Sequence, residues 1–182
     1  MVVAGLLFLA FAYFAVGQAA VNRNGAQTAA DAAALAAAQE TRDQLAGLWV
    51  EDVLDPTKWQ DIFHGIGADG DPCWRASELA AQNDASVDDC DPDGLRFTVA
   101  VQANKSAGDS VIPATSTKQA HASATAVIES LCTFDLPEVG SAADVLPKLT
   151  CGEDEEEWDL DPTDLTHLPK PEDLFDVHLA ND

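Results

Sequence analysis

The sequence predicts an α+β protein: a long N-terminal transmembrane helix packed on a small antiparallel β-sheet with short helices, followed by a disordered acidic C-terminal tail. Three observations carry this expectation. An apolar run from Val2 to Val21 passes into an alanine-rich, proline-free stretch that lasts to Leu48. Two later stretches alternate apolar and polar residues with the period of a strand. The chain ends in a segment dense in carboxylates and prolines. The implied organisation is a transmembrane helix over residues 1–22, its periplasmic or extracellular continuation over 23–48, a small disulfide-stapled α+β domain over 49–151, and an acidic tail over 152–182.

Val2 to Val21 is broken only by Gln18 and by small residues. Twenty residues at about 1.5 Å each span roughly 30 Å, the thickness of the hydrocarbon core. Lipid offers the backbone no hydrogen-bonding partner, so a segment in it is helical. Gly5, Gly17 and the alanines make a thin helix suited to close packing. Cleavage near Gly17-Gln18-Ala19 by a signal peptidase is the competing reading, although no Lys or Arg precedes the apolar run. Arg23 alone would place its side of the helix in the cytoplasm. The cysteines and the acidic body outweigh that single charge, so the expected location is a single pass through the cytoplasmic membrane with the C-terminal body outside.

Ala26 to Leu48 consists largely of strong helix formers, with an apolar stripe through Ala34, Leu35, Ala38, Leu45 and Leu48. Asn24-Gly25 is its one weak point. Asp55-Pro56 has the form of an N-cap followed by proline at the first helical position, and Trp59, Ile62 and Phe63 then share a face. Asp71-Pro72 repeats the device before a helix from Cys73 to about Gln82, expected to bury Trp74, Leu79 or their neighbours. From Leu95 to Ala103, residues Leu95, Phe97, Val99 and Val101 face one way. From Gln119 to Glu129, the alanines 120, 122, 124 and 126 and Ile128 do the same. A polar connection from Asn104 to Lys118 reads as a long hairpin loop. In the tail, Glu153 to Glu157 is acidic throughout and Pro162, Pro169 and Pro171 follow, a composition that buries little surface. A short helix over Glu172 to Leu179 would dock on a partner through Leu174, Phe175 and Leu179.

Nine basic residues stand against 32 acidic ones, a formal charge of −23. Such a chain repels nucleic acid and anionic membrane surfaces. The four cysteines, Cys73, Cys90, Cys132 and Cys151, form no CxxC pair and no zinc spacing with histidine. In a small charged domain they read as disulfides outside the cytoplasm. Their order suggests Cys73–Cys90 and Cys132–Cys151, while four cysteines allow three connectivities. His64, His121, His167 and His178 lie far apart, and no nucleophile elbow, phosphate loop or zinc-protease motif is present. The chain offers no catalytic residue, no cofactor site and no small-molecule substrate site. Asp89, Asp91 and Asp93 before Gly94 resemble the opening of a calcium loop, but the twelfth position is Ala100 and Pro92 favours a turn.

Gln27-Thr28-Ala29-Ala30-Asp31-Ala32-Ala33-Ala34-Leu35-Ala36-Ala37-Ala38 follows the apolar run. It resembles the signature of the TadE/TadG-like proteins of Tad (Flp pilus) systems, in which an apolar helix leads into a Gln-x-Ala-Ala-Asp-Ala-Ala-Ala-Leu-Ala stretch. The distinctive elements are Gln27, Asp31 and Leu35, and the likeness covers about the first 48 residues. The resemblance implies a membrane-anchored, pseudopilin-like structural or assembly component whose partners are the membrane and other pilus or secretion proteins. The chain starts inside the apolar run, without the short basic leader usual in the family. Either a leader precedes the sequence shown or prepilin peptidase does not process the protein, which leaves entry into a fibre open. The alternative function is a secreted or surface acidic binding module unrelated to pili.

Overall fold

A computed structural model describes residues 2–106, 119–136, 146–152 and 154–181. One helix, α1, runs from Val2 to Glu51. It passes through Asn24-Gly25 without a break, and Thr28 Oγ1 donates to the Asn24 carbonyl at 3.0 Å. Two short helices follow, α2 (Trp59–Phe63) and α3 (Cys73–Gln82). The strands are β1 (Ala85–Asp93), β2 (Arg96–Ser106), β3 (Gln119–Ser130), β4 (Cys132–Phe134), β5 (Leu149–Cys151) and β6 (Glu156–Trp158), then helix α4 (Pro171–Leu174) and strand β7 (Phe175–Leu179). A four-stranded antiparallel sheet has the order β1-β2-β3-β7, and a small second sheet has the order β4-β5-β6. Most of the hairpin connection expected between Asn104 and Lys118 lies outside the described residues.

The inner face of the large sheet is set by alternation. Phe97, Val99 and Val101 of β2 and Ala124, Ala126 and Ile128 of β3 are buried. Against them lies the second half of α1, where Ala26, Ala29, Ala30, Ala33, Ala34, Ala37, Ala38 and Leu45 recur at helical spacing and are buried. Methyl-sized side chains on both surfaces let the helix and sheet backbones approach closely. An aromatic cluster closes the lower end. Trp49 lies 5.5 Å from Trp59, Trp59 lies 5.2 Å from Phe134, and Phe63 packs against both Phe134 and Phe175. Trp59 also donates its indole N–H to the Asp52 carbonyl at 3.1 Å, which fixes α2 to the end of α1. The disulfides are Cys73–Cys90, joining α3 to β1, and Cys132–Cys151, joining β4 to β5.

The fold departs from the sequence expectation in several places. The transmembrane helix is not supported: among the described residues no helix is long and apolar enough to cross a membrane. The tail is not disordered throughout. Phe175 to Leu179, expected to be helical, forms β7 and pairs with Ser130 to Ala126 of β3. Phe175, Val177 and Leu179 have the two-residue period of a strand, and Leu174 and Phe175 are buried in the protein's own core. Upstream of it, Asp161 accepts from the N–H and hydroxyl of Thr163 at 2.8 and 2.7 Å, and Asp164 does the same with Thr166 at 3.1 and 2.6 Å. These side-chain to backbone bonds shape successive turns. The threonine hydroxyl first, and the amide second, hold each carboxyl below its ordinary range. Helix α3 buries Ala76 and Ala80, while Trp74 is 53% exposed with the Arg75 guanidinium 5.6 Å from its ring.

Candidate functional site: the motif helix and its exposed apolar end

Helix α1 has two contrasting stretches. In the Gln27 to Ala38 stretch, Ala29, Ala30, Ala33, Ala34, Ala36, Ala37 and Ala38 are buried, Asp31, Ala32 and Leu35 are half-buried, and Gln27 is exposed. These seven alanines are therefore packing residues, and their smallness is what brings α1 onto β2 and β3. Gln27 Nε2 donates to Asp31 Oδ1 at 2.8 Å, the one-turn spacing at which helical side chains meet. The same amide nitrogen lies 3.4 Å from the Ser123 carbonyl of β3. Asp31 thus orients Gln27, and Gln27 reaches a carbonyl on the sheet. The polar members of the motif mark where the helix leaves its own head.

Ahead of that point the character of α1 reverses. Val3, Leu6, Leu7, Phe8, Leu9, Phe11, Tyr13 and Val21 are large and exposed, Phe8 at 73% and Tyr13 at 84%. Leu6 to Leu9 are consecutive, and successive residues of an α-helix are about 100° apart, so these four side chains encircle the axis. An amphipathic stripe would seat on one surface. A helix apolar on all sides needs apolar neighbours all round. Contiguous exposure of this size marks an interaction site.

The other residues singled out by sequence lie elsewhere. The four cysteines are consumed by the two disulfides. Asp89, Asp91 and Asp93 are on β1, opposite Ala100, Thr98 and Arg96, and are exposed on the outer face of the sheet. Extended backbone spreads such carboxylates along the strand, whereas a calcium loop curls them around one point. Among the described residues no group of three or more His, Cys, Asp or Glu is placed to hold a metal. His121 Nδ1 lies 3.0 Å from Asp88, the bulged residue of β1, and His178 Nδ1 lies 2.9 Å from Asp176. An open cleft of ≈ 140 Å³ is lined by Asp159, Asp161, Asp164 and His167. Sequence reasoning missed the contact between Gln27 and Ser123. No local signal could have shown it, because the two residues are 96 positions apart.

A disulfide-braced helix-on-sheet head thus bears a helix whose far end carries exposed apolar side chains around its axis. The family model described as "Putative Flp pilus-assembly TadE/G-like" matches residues 1–40, which establishes the TadE/TadG-like character of the N-terminal region. The match supports involvement in Flp pilus assembly, contact with other proteins of that system, and a membrane-associated or envelope setting. It points to a structural, non-enzymatic role. No curated protein and no solved structure matches the chain.

Proposed function

We propose that the protein is a pseudopilin-like structural component of a Flp-type pilus apparatus that works by helix packing. The exposed apolar end of α1 inserts among apolar helices of other pilus-system subunits. The head stands on the extracytoplasmic side, where two disulfides are stable. The observation that carries this reading is the ring of exposed apolar side chains, Leu6 to Leu9, on a helix whose other half is docked on its own sheet. The family match over residues 1–40 agrees with it, since it covers both stretches.

Photo-crosslinking in cells tests the reading. A photoreactive residue at Phe8 is expected to give adducts with pilus-system proteins. One at Asp43, exposed on the docked half of α1, is expected to give none. Absence of adducts from Phe8, or equal capture from both positions, would reject the proposal. The acidic outer face keeps a second reading in view, a surface binding module released from the envelope. It predicts protein in the medium whose N-terminus starts near Ala20.

A further inference from the structure

The four-stranded sheet has two free edges, β1 and β7, and they are built differently. Edge strands invite pairing with other chains unless something blunts them. β1 is blunted three ways: a bulge at Asp88, Pro92 within the strand, and the carboxylates Asp88, Asp89, Asp91 and Asp93 along it. Two β1 edges brought together would set like charges against each other. β7 is short but has no proline and no lysine, and pairs with β3 in unbroken register.

Hydrogen-bond direction tells which groups of β7 remain free. Leu131 N–H donates to the Leu174 carbonyl at 2.9 Å, and Ala180 N–H donates to the Thr125 carbonyl at 2.8 Å. In an antiparallel ladder bonded residues alternate, so even-numbered positions of β7 face β3 and odd-numbered ones face outward. Phe175 N–H is already bonded to the Pro171 carbonyl. The outward groups left are both those of Val177, both those of Leu179, and the Phe175 carbonyl. Among the described residues Val177 and Leu179 make no backbone bond in that direction.

We propose that β7 pairs antiparallel with β7 of a second copy of this chain, around a twofold axis at Val177, joining the two sheets into one. Val177 exchanges both bonds with its counterpart, and each Leu179 N–H donates to the partner's Phe175 carbonyl. This register places Asp176 directly opposite the second copy's His178, and the reverse, on the outer face. Within one chain His178 already sits 2.9 Å from Asp176 and 3.8 Å from Glu129, an arrangement with acid in excess that an approaching histidine complements. On the inner face Phe175, Val177 and Leu179 continue the apolar row. A five-residue edge is a small interface by itself. Concentrating copies through the apolar end of α1 supplies the effective concentration that a weak contact needs. That last contribution rests on the assembly role proposed above; the pairing geometry does not.

Heterotypic crosslinking tests the register. Full-length Asp176→Cys and His178→Cys proteins, each in mild non-ionic detergent, are oxidised alone and as a mixture. Opposed positions without ladder bonds have Cα atoms about 4.5 Å apart, within disulfide range. The mixture is expected to give a crosslinked dimer at least about tenfold more efficiently than either variant alone. Adding Val177→Pro, which removes an outward N–H and no bond to β3, is expected to abolish it. No crosslink in protein whose native cystines are intact by mass spectrometry would overturn the proposal. So would equal crosslinking of either variant alone, or a crosslink that survives Val177→Pro. These outcomes are independent of what Phe8 captures in cells, so failure here is distinguishable from failure of the assembly role.

Discussion

The two halves of α1 are made of the same class of residue and have opposite fates. From Ala26 to Trp49 the apolar residues are mostly alanine, recur every three or four positions, and are buried against the sheet. From Val3 to Val21 leucine, phenylalanine and valine predominate among the exposed large side chains and surround the axis. Size and angular distribution, not hydrophobicity, separate them. A stripe of methyl groups lets a helix lie close on a folded neighbour. A full ring of bulky side chains cannot be covered by one surface and requires several. One continuous helix therefore contributes to its own core and, in the assembly proposed above, to a second one shared with other molecules.

That contrast can be broken from the head side first. Trp59→Ala removes the centre of the aromatic cluster that locks the docked end of α1. It is expected to cost about 3–5 kcal/mol of head stability, measured by denaturant unfolding in detergent. Replacing Cys132 and Cys151 by serine opens a loop closed over a separation of 19 residues, with an expected loss of about 3 kcal/mol by the same measurement. Ala33→Leu tests whether smallness is what seats the helix. Ala33 is fully buried, so the larger side chain is expected to destabilise the head by about 1–3 kcal/mol through overpacking. Unchanged stability would mean that the helix can lift without cost. Phe8→Ser sharpens the contrast from the other side. Its effect on head unfolding is expected to stay within about 0.5 kcal/mol, because Phe8 is 73% exposed, while capture of pilus-system proteins by a photoreactive residue at Leu9 is expected to fall. A large loss of head stability would show that the two halves of α1 are not independent.

Local periodicity made much of this legible. The helix, the two alternating strands β2 and β3, and their inward residues follow from spacing alone, because side-chain direction is fixed by backbone geometry. β1 was less legible. Its inward residues, Ala85, Val87 and Cys90, are thrown out of strict alternation by the bulge at Asp88, and its outward carboxylates imitate a metal loop. β7 was hidden by composition, since an acidic, proline-rich segment with few apolar residues reads as a chain that cannot order itself. What orders it is non-local: β3 pairs with it, and Phe175 packs on Phe63 with ring centroids 5.5 Å apart.

By itself the sequence determined the long N-terminal helix, the apolar faces of β2 and β3, and the pilus-assembly signature of the N-terminal region, because each is written in neighbouring positions. Only the tertiary structure decided that the motif alanines are docking residues, that Gln27 meets Ser123, and that the last strand completes the sheet. Those outcomes depend on which surfaces meet across long stretches of chain, and the energy of such a meeting belongs to both partners, so neither segment encodes it alone.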